Sequence, residues 1–220
     1  MRRILYLVSF SCLLLLQSCF EIIEQVFIKN DGSGNFQLVI NLSKSKTKIN
    51  SIMKMKTVNG HRVPDKTEIN QEVAEIERTI KTTAGISNVK TTLDYDNYIA
   101  TLTCDFTKVD DLNTGIKNIA VKKKSTKPMD KAYVYDMAGK AFSRFNTFLY
   151  KDDYQKMSNA DKEIFATANY TSIFRFETEI ATTTNKETKI SPNKKAAMVK
   201  LNALDLISNK KTIDNKIKLK

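Results

Sequence analysis

The 220-residue chain predicts an α+β fold: an antiparallel sheet built from successive hairpins with interspersed helices. Three observations lead there. Pairs of β-rich segments flank short turn signals, as 20–30 and 35–42 flank Asp31-Gly32-Ser33-Gly34. A stretch with helical periodicity follows each pair. The resulting order, strand–strand–helix three times over and then strands, opposes a parallel doubly wound sheet, where strands and helices alternate singly. No sequence repeat accompanies this rhythm.

Along the chain, Phe36, Leu38, Ile40 and Leu42 alternate with Gln37, Val39 and Asn41, the period-2 signature of a half-buried strand. The preceding DGSG reads as a hairpin turn, because a calcium or phosphate loop would need more carboxylates or a following helix. Residues 43–64 are lysine-rich and read as a short helix followed by a loop at Asn59-Gly60. A helix is predicted over 66–83: Ile69, Val73, Ile76 and Ile80 fall on one stripe, Asp65 and Glu68 form a capping pair, and Gly85 stops it. Residues 87–94 and 98–107 form a second hairpin, turning at Tyr95-Asp96-Asn97. Asp110 is then expected to cap a short helix carrying Leu112, Ile116 and Ile119. A basic loop over 122–127 ends at Pro128.

A third hairpin is expected across 132–138 and 141–150 around Gly139-Lys140, then a charged helical stretch over 151–168. Residues 170–180 read as a long aromatic strand. A polar turn region surrounds Pro192, residues 196–206 read as a further strand, and 213–219 as an edge strand.

The chain begins Met1-Arg2-Arg3, and Ile4 to Leu16 is then apolar but for two serines and a cysteine. That run falls short of the roughly 20 residues needed to span a bilayer, and suits the h-region of a secretory leader. Leu16-Gln17-Ser18-Cys19 resembles the lipobox of bacterial lipoproteins, with Leu three positions before the Cys and a small residue directly before it. The resemblance implies that 1–18 is a signal peptide and that Cys19 is the lipid-attachment site. There the thiol receives a diacylglyceryl group and the new amine is acylated, with palmitate as the expected chain. An ordinary secretory leader cleaved near Ser18 is the plainer alternative. Cys12 is a poor rival, since Ser9 stands where Leu is wanted. Several acyl chains, each buried methylene contributing about 0.8 kcal/mol, would anchor the protein stably. Residues 19–220 then form a single α+β envelope domain.

The formal charge is +12, and +10 once Arg2 and Arg3 leave with the leader. The lysines are dispersed, so a well-solvated basic surface is read before any anionic partner, and nucleic acid is not expected. Cys104, in YIATLTCDF, is the last cysteine of the mature chain. It could be a thiol partnered by His61, the chain's one histidine, or a buried small hydrophobe, and the pattern favours the latter. One His and one Cys supply no metal-ligand cluster, and neither GxSxG, GxxxxGK[ST] nor GxGxxG occurs. Asp94/Asp96, Asp110/Asp111 and Asp152/Asp153 read as caps and turns rather than as catalytic carboxylate pairs. No catalytic residue, metal or cofactor is therefore assigned. Phe142, Phe145, Phe148, Tyr150, Tyr170, Phe174 and Phe176 could line an apolar cavity or stack sugars, but read first as core.

Beyond the anchor, the strand after Cys19, the DGSG turn and the strand NFQLVINL resemble lipoproteins of Bacteroidetes-type bacteria and, less closely, LppM-type lipoprotein domains. LppM-type chains carry a second hydrophobic segment near the C-terminus, where this one ends in KIKLK. The resemblance implies a non-enzymatic envelope domain contacting lipid or glycolipid. Together with the charge and the aromatic strands, the expectation is a binding module or assembly factor for lipid, glycolipid or an envelope protein. A purely structural envelope lipoprotein is the alternative. Phe20 is unlike the Asp of the inner-membrane retention signal, which favours the periplasmic face of the outer membrane.

Overall fold

The computed structural model describes residues 20–123, 131–147 and 151–220. The leader, Cys19, the basic loop from Lys124 to Pro128 and the aromatic positions Phe148 and Tyr150 lie outside the described residues.

The first hairpin joins β1 (Glu21–Ile28) to β2 (Gly34–Asn41). Its turn is shaped by Gly32 at φ +82° and by the Asp31 carboxylate, which accepts from the Ser33 amide and hydroxyl at 2.9 and 2.7 Å. Gly34 is required for another reason: a Cβ there would sit 1.9 Å from the Phe27 carbonyl oxygen. A 3-10 turn and the short helix α1 (Lys46–Ile52) follow. The expected loop at Asn59-Gly60 is in fact the two-residue turn of a small ribbon, β3 (Thr57–Val58) and β4 (His61–Arg62). Both turn residues take positive φ, which suits the twist of a tight hairpin.

Helix α2 (Lys66–Lys81) starts at the predicted capping box: Asp65 accepts from the Glu68 amide, and Glu68 from the Asp65 amide, each at 2.9 Å. Ile80 is buried and Ile76 packs beneath it on the core. The second hairpin is β5 (Ile86–Asp94) with β6 (Ile99–Phe106). Helix α3 (Val109–Lys122) is longer than expected, and its cap is Lys108 rather than Asp110. The Lys108 amide donates to the Asp111 carboxylate at 3.0 Å, and Asp110 turns outward to Lys131 at 2.8 Å. The third hairpin, β7 (Tyr133–Asp136) and β8 (Ala141–Arg144), is shorter than predicted. Helices α4 (Lys151–Lys156) and α5 (Asn159–Ala166) divide the charged stretch where Ser158 caps α5.

The aromatic segment is split between β9 (Asn169–Phe176) and β10 (Ile180–Thr183), followed by β11 (Lys189–Ile190). The strand read over 196–206 ends early. It is β12 (Ala196–Asn202), then helix α6 (Ala203–Ile207), because the Asn202 side chain caps the Leu204 amide at 2.8 Å. The chain closes with β13 (Asn215–Leu219).

Two larger sheets result. The seven-stranded sheet has the order β11-β12-β9-β1-β2-β6-β5, and the four-stranded sheet β10-β13-β8-β7. Strand β13 is thus interior rather than the expected edge strand, flanked by β10 and β8. Antiparallel pairing dominates, with one exception: β1 runs parallel to β9, placing Glu24 opposite Ser172. One face of the large sheet carries the core. The small sheet covers it on the β9 side, where Phe142 meets Phe174 and Phe176, and α2 and α3 cover it over β5 and β6. Asn113 of α3 locks these covers together, accepting from the Ala132 and Tyr133 amides and donating to the Tyr133 carbonyl.

Candidate functional site

Strand β1 is central, and its alternation sends Ile22, Glu24, Val26 and Ile28 toward the covered face. Glu24 is a charged residue in an apolar row, 4% exposed, and it meets Arg144, the last residue of β8, at 3%. Arg144 Nε and Nη2 each donate to one carboxylate oxygen at 2.8 Å, a bidentate fork. The Tyr170 hydroxyl also donates to Glu24, and Arg144 Nη2 lies 3.2 Å from that hydroxyl. Arg144 Nη1 donates to the Phe145 carbonyl, and its guanidinium carbon stands 4.9 Å from the Tyr133 ring centroid. Burial opposes the guanidinium charge, yet the Glu24 carboxylate outweighs it and holds Arg144 well above its ordinary range. Burial and the same carboxylate push Tyr133 and Tyr170 far up, so both phenols stay protonated. Beside them Ser172 is fully buried, and its hydroxyl has no hydrogen-bond partner among the described residues.

This polar cluster forms one wall of a cavity of about 330 Å³ between the large sheet and α3. Glu24, Tyr133, Arg144 and Tyr170 contribute the polar side. The remainder is mostly aliphatic, from Leu38, Leu102, Ile116, Ile119 and their neighbours. Space remains because α3 presents Gly115 and Ala120 and the sheet presents Cys104 there, all small. A second pocket, about 290 Å³, exposes carbon alone and lies beside Phe20 and Ile22, between α4, α5 and α6. It shares Ile22 and Tyr170 with the cavity. A third, about 230 Å³, sits under α1 and shares Ile40. In register, Glu21, Asn41, Ile99, Asp94 and Asn169 mark one end of the large sheet, where the second and third pockets lie and toward which the cavity extends through Ile22 and Ile40.

The sequence-derived candidates fall out differently. Phe142, Phe174 and Phe176 are core, with ring centroids 4.9 and 5.7 Å apart, while Phe145 is exposed. Tyr170 alone of the described aromatic set lines the cavity. Cys104 is 3% exposed, and burial together with neighbouring Asp105 pushes its thiol up to about 11. His61 sits exposed on the ribbon, 3.4 Å from Asp161 of α5. Hydrogen bonds from Ser158, Asn59 and His61 hold the Asp161 carboxyl below its usual range. Asp94 accepts from the Asp96 and Asn97 amides, a turn as expected, and Asp152 and Asp153 lie in the first turn of α4. Glu24 and Arg144 were missed. The available signal was Glu24 itself, a carboxylate interrupting Ile22, Val26 and Ile28.

Among the described residues no group of three or more His, Cys, Asp or Glu could hold a metal ion, and no helix is long and apolar enough to cross a membrane. No protein-family model matches the chain, and no curated protein matches it. Among solved structures, the chain is similar to the folded domain of Mycobacterium tuberculosis LppM, determined by NMR. The likeness has a TM-score of 0.44 at 11% sequence identity and covers 92% of this chain and 90% of that one.

Proposed function

We propose that the protein is a bacterial envelope lipoprotein, anchored through acylated Cys19, whose domain binds an amphiphile without catalysing a reaction. The membrane is then a partner through the anchor, and the ligand is a lipid or glycolipid. The observation that carries this reading is the cavity of about 330 Å³ with aliphatic walls and one buried polar side, Glu24 with Arg144, Tyr133 and Tyr170. Its volume lies at the lower end of ligand pockets, and a few convergent polar groups in an apolar site are what orient such ligands. The aliphatic walls suit an alkyl chain, while Arg144 and the two phenols suit a polar linkage. A purely structural lipoprotein would gain nothing from a cavity that forfeits packing contacts. The periplasmic face of the outer membrane is the location favoured by Phe20.

The test is native mass spectrometry of the protein purified from a bacterial host, with solvent extraction of what comes with it. A stoichiometric amphiphile is expected from the wild type and should be lost in Ile116→Trp, which fills the cavity. A wild-type protein free of bound lipid or glycan, and equally stable with and without added lipid, would leave the structural reading standing.

A further inference from the structure

The carbon-lined pocket beside Phe20 is distinct from the polar-walled cavity, and its position suggests its own occupant. We infer that it holds one acyl chain of the protein's own lipidated Cys19. The inference rests on the reading of Cys19 as the anchor. The described chain begins at Phe20, whose side chain is a wall of the pocket, and consecutive Cα atoms are about 3.8 Å apart. A chain attached at Cys19 therefore starts one residue from a wall of the pocket. Phe20 is fixed there edge-on against Phe165, with centroids 6.1 Å apart, and Phe165 packs edge-on against Tyr154 at 6.0 Å. Met157, Leu206 and Ile207 add carbon to the lining, and Asp153 and Asn169 border it without exposing their polar atoms inside. With no polar atom exposed inside, the pocket offers a free headgroup nothing to bind, but suits a bare hydrocarbon whose polar end stays at the mouth. One acyl chain is thus held by the domain while the others enter the bilayer.

The experiment uses the full chain expressed with its leader, reconstituted into nanodiscs of acyl-deuterated phosphatidylethanolamine and phosphatidylglycerol. Methionine methyls are carbon-13 labelled, since Met157 is the methionine of this pocket. Cross-peaks between the Met157 methyl and acyl methylene protons are expected, because in these discs only the protein's own acyl chains carry protons. They should vanish in Ile207→Trp, which fills the pocket, while the Met53 and Met198 signals stay in place. Cross-peaks seen only with protonated bilayer lipid, none in either disc, or cross-peaks surviving Ile207→Trp would overturn the inference. Intact mass separates the two readings. An unmodified Cys19 overturns the anchor and this inference together, whereas a lipidated Cys19 with an unaffected Met157 overturns the pocket's occupant alone.

Discussion

On the β9 side the large sheet is covered by a second sheet, and over β5 and β6 by two helices, and the two halves pack differently. Under the small sheet, Phe142 is fully buried and packs against the rings of both Phe174 and Phe176. Under the helices the side chains are mostly aliphatic, with Phe36 among them and with the small residues Gly115, Ala120 and Cys104, and a cavity of about 330 Å³ remains. The aromatic half is fully buried, whereas Leu38, Leu102, Ile116 and Ile119 of the helical half are only partly so, and its filling is looser. Rings supply volume that small residues do not, so the same sheet has one half that specifies the fold and another that keeps space. Arg144 stands at the seam, carried by the small sheet but paired with Glu24 of the large one.

The most direct challenge to this contrast is truncation on each side. Phe142→Ala should cost about 4 kcal/mol in denaturant unfolding, whereas Ile116→Ala, at a wall that already lacks neighbours, should cost about half that. Equal losses would show that the helical half is as tightly packed as the aromatic one. At the seam, Glu24→Leu should cost about 3 kcal/mol because it strands a buried guanidinium, and the double variant Glu24→Leu/Arg144→Met should recover to within about 1 kcal/mol of the wild type. A double variant that folds normally but loses its co-purifying amphiphile would assign the pair to ligand contact rather than stability.

Smaller effects refine the picture. Gly115→Ala should stabilise by about 1 kcal/mol, since alanine favours helix and the new Cβ meets Thr83 and Ile86 at an ordinary 3.9–4.0 Å. A destabilised Gly115→Ala would mean that α3 lies closer to the sheet than this geometry. An effect confined to high pH concerns Cys104. Its thiol is pushed up to about 11 in the folded protein against an ordinary 9.0, so the folded state holds the proton more tightly. That contribution is complete below pH 9 and is lost as pH rises through about 11. Wild-type stability should therefore decline across this window more steeply than that of Cys104→Ala. Thiol reagents at pH 8 should label Cys104 only after unfolding.

The local elements were legible in the sequence. The DGSG hairpin, the Asp65–Glu68 capping box and the Tyr95-Asp96-Asn97 turn depend on residues a few positions apart, and each is found where the pattern put it. Errors arose where neighbours in sequence do not decide. Residues 196–206 read as one apolar strand, yet a side-chain cap turns their end into a helix. The aromatic segment is divided between sheets, which periodicity within a strand does not encode. The candidate site was largely hidden. Cys104 was read as buried and Asp94 as a turn residue, but Asp110 is not the cap expected of it, and Glu24 and Arg144 meet across 120 residues.

Residue patterns alone set the α+β class, the DGSG and Tyr95-Asp96-Asn97 hairpins and the alternation of β2, because period-2 spacing, turn residues and caps act over short range. They also include the lipobox pattern at Cys19, on which the proposed anchor rests. The parallel pairing of β1 with β9, the second sheet with β13 inside it, and the cavity with its charged wall arise only from long-range packing. Those features depend on which faces meet and how much volume their side chains bring together, and no local pattern holds that sum.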